Sequence, residues 1–127
     1  MATEKRRIMV IDDEAGFTSL LKLNLEKTGR YEVHSENNGA RSLESAREFQ
    51  PELVLLDVVM PGADGGDVLT RFKADERLKQ VPVIFLTATM SPDAVAARGG
   101  VIGGIPVIAK PVDVKKLVRQ IDAALNP

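Results

Sequence analysis

The sequence predicts a single-domain α/β protein whose core is a parallel β-sheet. Short apolar runs rich in β-branched residues alternate with longer stretches of helical periodicity, which is the pattern of repeated β–α units. The five strand-like runs are residues 8–11, 31–34, 53–56, 83–86 and 107–109. A length of 127 residues with 44% hydrophobic side chains supports one core rather than two. We therefore expect one domain over residues 1–127, with its core at about 7–125.

Five helices are expected between and after these strands. Apolar residues at helical spacing mark four of them: Phe17, Leu20, Leu21 and Leu25; Ala40, Leu43, Ala46 and Phe49; Val68, Leu69 and Phe72; and Val114, Leu117, Val118, Ile121 and Leu125. The remaining one, the fourth along the chain, begins at Ser91-Pro92-Asp93, which has the form of an N-cap, a first-turn proline and an early acid. It should be short, because two glycine pairs follow at 99–100 and 103–104.

Composition excludes several classes of function. The chain has 17 basic and 18 acidic side chains, a net charge of −1 and scattered lysines and arginines, so we expect no direct contact with nucleic acid. The absence of cysteine excludes disulfides and thiolate chemistry. The N-terminal residues resemble neither a signal peptide nor a membrane span, so we expect a cytoplasmic protein without a membrane partner. Aromatic residues, at 4%, supply little surface for stacking a flavin.

Polar residues follow four of the five predicted strands at the point where each ends. Asp12 and Asp13 come after the first, Asp57 after the third, Thr87 after the fourth and Lys110 after the fifth. Ligands of open α/β sheets bind at the carboxyl ends of the strands, so these side chains are expected to converge. Two carboxylates about 4 Å apart repel by roughly 4 kcal/mol at an effective dielectric constant near 20. We therefore expect either a bound cation in this cluster or shifted pKa values of its carboxyl groups.

The residue types indicate magnesium and a phosphoryl group. Hard oxygen ligands without histidine or cysteine favour Mg²⁺, which combines one or two carboxylates with phosphate oxygens. A carboxylate can attack phosphorus to form an acyl phosphate, while an ammonium and a hydroxyl bind the phosphoryl oxygens. An aspartate after a strand is by itself usually a turn or cap residue, so the inference depends on the whole set together with Lys110.

At these residues the chain resembles a response-regulator receiver domain of two-component signalling, similar to the chemotaxis regulators. The matching motifs, in order, are Asp12-Asp13, Asp57 with Met60-Pro61-Gly62 and Asp64-Gly65, Thr87-Ala88 and Lys110-Pro111. The resemblance covers about residues 7–125. It implies a doubly wound, flavodoxin-like fold with a five-stranded parallel sheet of order 2-1-3-4-5 and five surrounding helices.

The resemblance also implies a metal site and a phospho-acceptor. Asp57 would accept a phosphoryl group from the phosphohistidine of a sensor histidine kinase or phosphotransfer protein. Asp13, Asp57 and the backbone carbonyl of Val59 would bind Mg²⁺, and Asp12 would act mainly through a metal-bound water.

Thr87 and Lys110 would contact the phosphoryl oxygens, with Ala88 small enough to leave the site open. Such a protein is a switch rather than an enzyme, since it catalyses only its own phosphorylation and dephosphorylation. Its output would be a changed surface of helix 4, strand 5 and helix 5, which binds an unidentified output protein or forms a weak dimer.

Three features depart from the usual family pattern. Val107 occupies a position where the family usually has Tyr or Phe, so a swinging ring is not available to report phosphorylation. Val59 has no polar atom to orient an attacking water, and Thr89 is the polar candidate near that position. The glycine pairs are expected to make the helix 4, strand 5 and helix 5 surface mobile and apolar.

Other residues near the motifs have simpler interpretations. Asp64 is predicted to cap the third helix, Glu14 to be a solvated first-turn acid, and His34, the only histidine, to be a surface residue rather than a phosphoryl carrier.

Alternative functions are weighed against the same residues. A phosphorylation-independent receiver-like interaction domain is favoured by Val107 and the glycine pairs, and opposed by the intact acidic set with Lys110. A phosphatase of the haloacid-dehalogenase type would need a second aspartate where the chain has Val59. A flavodoxin-like electron carrier is disfavoured because no Ser/Thr-rich phosphate loop follows the first strand.

Overall fold

The computed structural model describes residues 4–60 and 64–126. The strands are β1 (Arg6–Ile11), β2 (Tyr31–Glu36), β3 (Leu53–Asp57), β4 (Val83–Thr87), β5 (Val101–Ile102) and β6 (Ile105–Ala109). The helices are α1 (Ala15–Glu26), α2 (Ser42–Phe49), α3 (Gly65–Ala74), α4 (Pro92–Ala97) and α5 (Val114–Leu125), and a 3-10 turn (Gly39–Arg41) precedes α2. Pro61 and Gly62 of the motif that follows Asp57 lie outside the described residues.

The sheet has the order β2-β1-β3-β4-β6-β5. The first five of these strands are mutually parallel, which confirms the predicted order 2-1-3-4-5 with β6 as the fifth predicted strand. The two-residue strand β5, which pairs antiparallel with β6, was not predicted. Gly103 and Gly104 form the turn between them, with φ of +56° and +82°. Glycine suits this two-residue hairpin because both positions require positive φ.

Alternating residues of each central strand face two separate hydrophobic layers. In β1, Ile8 and Val10 pack toward α1 and α5, whereas Met9 and Ile11 pack toward α2 and α3. All four side chains are fully buried. Full burial of one such side chain contributes about 1.5–3 kcal/mol, so the two layers hold the sheet rigid beneath its loops.

The predicted helix starts are confirmed in detail. Ser91 caps α4, its hydroxyl accepting the Ala94 N–H at 3.1 Å, and α4 is only six residues long. Asp113 caps α5 in the same way. Two expectations were wrong: Ala40, assigned to the second helix, is exposed in the 3-10 turn before α2, and Leu20, assigned to the buried face of α1, is 59% exposed. It lies beside the stripe of Phe17, Leu21 and Leu25, and lines a surface cavity instead of the core.

No helix within the described ranges is long and apolar enough to cross a membrane.

Candidate functional site

The predicted carboxylates converge at the carboxyl ends of β1 and β3. These strands are parallel neighbours, with Ile11 paired to Leu56, so Asp12 and Asp57 occupy adjacent positions at the sheet edge. Asp12, Asp13 and Asp57 each offer a carboxylate oxygen, and the three oxygens lie within 4.8 Å of one another. Asp12 is fully buried and Asp57 is 6% exposed, whereas Asp13 is exposed to solvent. The cluster thus consists of two buried carboxylates, those of Asp12 and Asp57, and is open to solvent on the side of Asp13.

This crowding changes the proton affinity of Asp57. Burial, followed by the negative charge of Asp12, raises the pKa of the Asp57 carboxyl to about 6. The Lys110 ammonium and the backbone N–H of Val59 act in the opposite direction but do not compensate fully. The ionised cluster is therefore strained electrostatically, and a bound cation would relieve that strain.

Lys110 is the cation that the protein itself supplies. Its Nζ lies 2.5 Å from an Asp12 oxygen, 3.4 Å from Glu14 and 3.9 Å from Asp57. Burial lowers the pKa of Lys110, but the hydrogen bond and charge of Asp12, with smaller contributions from Asp57 and Glu14, raise it overall. The lysine thus pairs primarily with Asp12 and stays close enough to Asp57 to reach a group attached there.

Thr87 is held beside the cluster by backbone pairing. β4 lies between β3 and β6, and the Lys110 N–H donates to the Thr87 carbonyl at 2.7 Å. The Thr87 hydroxyl is buried and lies 2.8 Å from the hydroxyl of Thr89, whose backbone N–H also donates to it at 3.1 Å. The following residue, Ala88, is exposed and leaves the approach to this edge open.

Val59 contributes its backbone and not its side chain. Its backbone N–H acts to lower the pKa of the Asp57 carboxyl, while its side chain is 58% exposed. The role of its carbonyl as a metal ligand stays a prediction.

Three residues that support the site were missed or given no role. The Asn37 side-chain amide donates to the Asp12 carbonyl at 2.8 Å and to the Thr18 hydroxyl at 2.9 Å, tying the loop after β2 to the end of β1. The rule applied to the other strands would have found Asn37, but β2 was expected to end at 34 and in fact ends at Glu36.

Phe17 was predicted only as a core residue of α1. Its ring centre lies 4.3 Å from the Lys110 ammonium, within the range of a cation–π contact. Gly65 was recognised as part of a motif but had no function. A Cβ there would lie 2.5 Å from the Asp57 carbonyl oxygen, so only glycine lets α3 begin this close to the acceptor strand.

Several candidates have the simpler roles expected of them. Asp64 caps α3 by accepting the Asp67 N–H at 2.9 Å. Glu14 is exposed, but it precedes α1 and its carboxylate lies 3.4 Å from the Lys110 Nζ. His34 is exposed on β2, where its ring lies 5.2 Å from that of Phe49. Val107 is buried in β6.

Comparison with known proteins agrees with this geometry. The family described as the response regulator receiver domain matches residues 8–122. The chain is 41% identical over 97% of its length to an uncharacterized transcriptional regulatory protein, YkoG, of Bacillus subtilis, and 36% identical over 99% to the DNA-binding response regulator MtrA of Mycobacterium tuberculosis. These matches cover 52% and 53% of the two relatives, so the chain spans about half their length.

Solved structures show the same fold. A putative response regulator from Chloroflexus aurantiacus superposes with a TM-score of 0.82 at 26% identity, covering 98% of this chain and all of that one. The chemotaxis protein CheY4 of Vibrio cholerae superposes with a TM-score of 0.80 at 22% identity, covering 96% of this chain and all of that one. Receiver domains are signalling modules rather than classical enzymes. The matched span of 8–122 includes most of β1, all the other strands and the whole acidic edge, and the chain belongs to the response regulator receiver domain family.

Proposed function

We propose that this chain is a phosphorylation-controlled switch in which Asp57 accepts a phosphoryl group from a phosphohistidine. The donor would be a sensor histidine kinase or a phosphotransfer protein. The observation that carries the proposal is the meeting of three carboxylate oxygens within 4.8 Å, with the Lys110 ammonium 3.9 Å from Asp57. A nucleophilic carboxylate, further acidic ligands and a fixed cation are the groups that acyl-phosphate formation requires.

The residues present fit Mg²⁺ as the cofactor. The donor set is all oxygen, Asp13 keeps one side open to solvent, and burial together with the negative charge of Asp12 raises the pKa of Asp57 despite the nearby Lys110. Asp12, Asp13, Asp57 and the Val59 backbone carbonyl would hold the ion. When bound, Mg²⁺ neutralises charge on the carboxylates and on the phosphoryl oxygens.

The protein's own groups account for the transfer. A carboxylate oxygen of Asp57 forms the new bond to phosphorus as the bond to the donor's imidazole nitrogen breaks, and that nitrogen keeps the electron pair. Lys110, whose Nζ lies 3.9 Å from an Asp57 oxygen, would exchange its hydrogen bond to Asp12 for one to a phosphoryl oxygen on Asp57. Thr87 exchanges its hydrogen bond to Thr89 for one to the phosphoryl group.

The Thr87–Thr89 exchange supplies a route from the site to an output surface. Thr89 leads directly into the cap of α4 at Ser91, and α4 packs against β6. We propose that phosphorylation alters the surface of α4, β6 and α5 and thereby its affinity for an output protein or for a second copy. The names of MtrA and YkoG favour a transcriptional output. With a net charge of −1, these 127 residues would leave contact with DNA to another segment or chain.

Mass spectrometry after incubation with acetyl phosphate and Mg²⁺ tests the acceptor. Wild type should gain about 80 Da, the mass of one phosphoryl group, and Asp57→Asn should gain nothing. Glu48→Gln, which changes an exposed carboxylate on α2, serves as the control and should be modified like wild type. A wild-type chain that gains no mass and shows no Mg²⁺-dependent response to beryllium fluoride would instead support the phosphorylation-independent interaction domain.

Amide hydrogen exchange with and without beryllium fluoride tests the route. Protection should change most between residues 87 and 106, which contain Thr89, α4 and the β5–β6 hairpin. Changes confined to the immediate surroundings of Asp57 would refute the proposed route from Thr87 to α4, but not the proposal that Asp57 is the phospho-acceptor.

A further inference from the structure

A cavity lies at the amino end of the sheet, at the opposite end from Asp57. Its volume is about 470 Å³, and it is formed by the start of β1, the end of α2, the turn into β3 and the loop after α3. Three arginines from three different segments line it, together with Gln50, Pro51 and Leu78. We call this the arginine pocket, and its arginines are Arg7, Arg47 and Arg77.

The pocket carries more positive charge than its neighbours neutralise. Arg47 is paired with Asp75, at 2.6 and 2.7 Å from two of its nitrogens. Across residues 4–60 and 64–126, neither the Arg7 nor the Arg77 guanidinium forms an ion pair, although the carboxylates of Glu52 and Asp75 accept the backbone N–H groups of Arg7 and Arg77 at 2.8 and 2.9 Å. Two of the three guanidinium groups at this concave site are therefore without a direct ion-pair partner.

Two of the three arginines are held in place by the fold. The Arg7 Nε donates to the Gln50 carbonyl at 2.8 Å, which leaves its terminal nitrogens available to a ligand. Asp75, whose side chain is 6% exposed, binds Arg47 and also accepts the backbone N–H of Arg77 at 2.9 Å. Binding would therefore immobilise few additional side chains, which lowers its entropic cost.

We propose that the arginine pocket binds a small organic phosphate of nucleotide size. Guanidinium groups match phosphate oxygens in paired hydrogen bonds, and the fork of Arg is less strongly hydrated than an ammonium. The volume falls within the range of small-molecule sites and exceeds what one inorganic phosphate fills. Pro51 and Leu78 supply apolar contact, and the side-chain amide of Gln50 supplies polar contact, for the organic part of the ligand.

The site is separate from the proposed phosphorylation chemistry. Asp57 ends β3, whereas Pro51 precedes the start of that strand, so the sheet's full length separates the two. The inference goes beyond the proposed function and does not depend on it.

Isothermal titration with AMP, inorganic phosphate and adenosine, in EDTA at physiological ionic strength, tests the proposal. AMP should bind saturably and at least tenfold more tightly than phosphate, and adenosine should not bind. The double variant Arg7→Gln/Arg77→Gln should weaken AMP binding at least tenfold with its circular dichroism unchanged. Arg119→Gln, which removes an exposed arginine of α5, should bind as wild type does.

Each remaining outcome overturns a stated part of the inference. If AMP does not bind saturably, or if the double variant binds it as tightly as wild type, the proposal that the arginine pocket binds AMP is refuted. Equal affinity for AMP and phosphate would show that the pocket is only an anion site, and would refute the proposal that it binds an organic phosphate. Asp57→Asn should leave AMP affinity unchanged, and a loss there would show that AMP occupies the acidic edge instead.

Discussion

Replacing Asp57 with asparagine should stabilise the metal-free protein at neutral pH. The new side chain would keep nearly the same shape and its amide oxygen could still accept the Val59 N–H, but the substitution would remove one negative charge from the crowded cluster. The gain in unfolding free energy should depend on pH, because the folded and unfolded chains bind the Asp57 proton differently.

The size of the effect follows from the pKa of Asp57. Burial and the charge of Asp12 raise it from 3.8 to about 6 in the folded protein. A tenfold change in proton affinity corresponds to about 1.4 kcal/mol, so ionised Asp57 costs the folded state about 3 kcal/mol. For a chain of this length that corresponds to a rise in Tm of roughly 10 °C.

The direction of this pH dependence follows from which state, folded or unfolded, holds the Asp57 proton at a given pH. Between about pH 4 and pH 6 the folded chain is protonated at Asp57 and the unfolded chain is not, so wild type loses stability as the pH rises through that window. Above pH 6 the full cost persists. The advantage of Asp57→Asn should therefore be near zero at pH 4 and complete at pH 7.

Urea unfolding in EDTA at pH 4, 5, 6 and 7, followed by circular dichroism, measures this difference. The matched control is Glu48→Gln, an exposed carboxylate whose change should stay within about 0.5 kcal/mol at every pH. Adding Mg²⁺ should stabilise wild type and narrow its difference from the variant. A variant that is equally or less stable than wild type at pH 7, or a gain that does not vary with pH, would refute the electrostatic account.

Three further predictions concern other parts of the molecule. Gly65→Ala should destabilise the fold by about 1–3 kcal/mol in urea unfolding, because its Cβ would lie 2.5 Å from the last carbonyl oxygen of β3. The control Gly16→Ala in α1, whose Cβ would meet nothing within 4 Å, should be stabilising. Equal costs for the two variants would contradict the steric reason. Val59→Asn should shorten the phosphoryl lifetime measured by mass spectrometry, since it adds an amide able to orient water; an unchanged or longer lifetime would mean that water positioning there does not limit hydrolysis. Tyr31→Phe should cost about 0.5–1.5 kcal/mol of unfolding free energy by removing the 3.0 Å hydrogen bond to Asp122, and no measurable cost would show that this bond adds nothing.

Local patterns were sufficient to predict the strands and helices, whereas the strand order was implied by the family resemblance. The five parallel strands were predicted from β-branched apolar runs, the start of α4 from the cap at Ser91, and α5 from its apolar stripe. These signals are strong because a strand covered on both faces must be apolar throughout, and a helix start must satisfy its own free N–H groups. The convergence of Asp12 and Asp57 was predictable for a related reason, since parallel neighbouring strands end at one edge.

Contacts between residues far apart in the chain determine the features that the sequence patterns did not predict. The two-residue strand β5 is too short to give a periodic signal, and the exposure of Leu20 depends on which elements pack against α1. The preference of Lys110 for Asp12 over Asp57, the raised pKa of Asp57 and the grouping of arginines at the amino end of the sheet also became visible only in three dimensions. Charge interactions and desolvation depend on distances between residues far apart in the chain, and those distances exist only once the two hydrophobic layers have packed against the sheet.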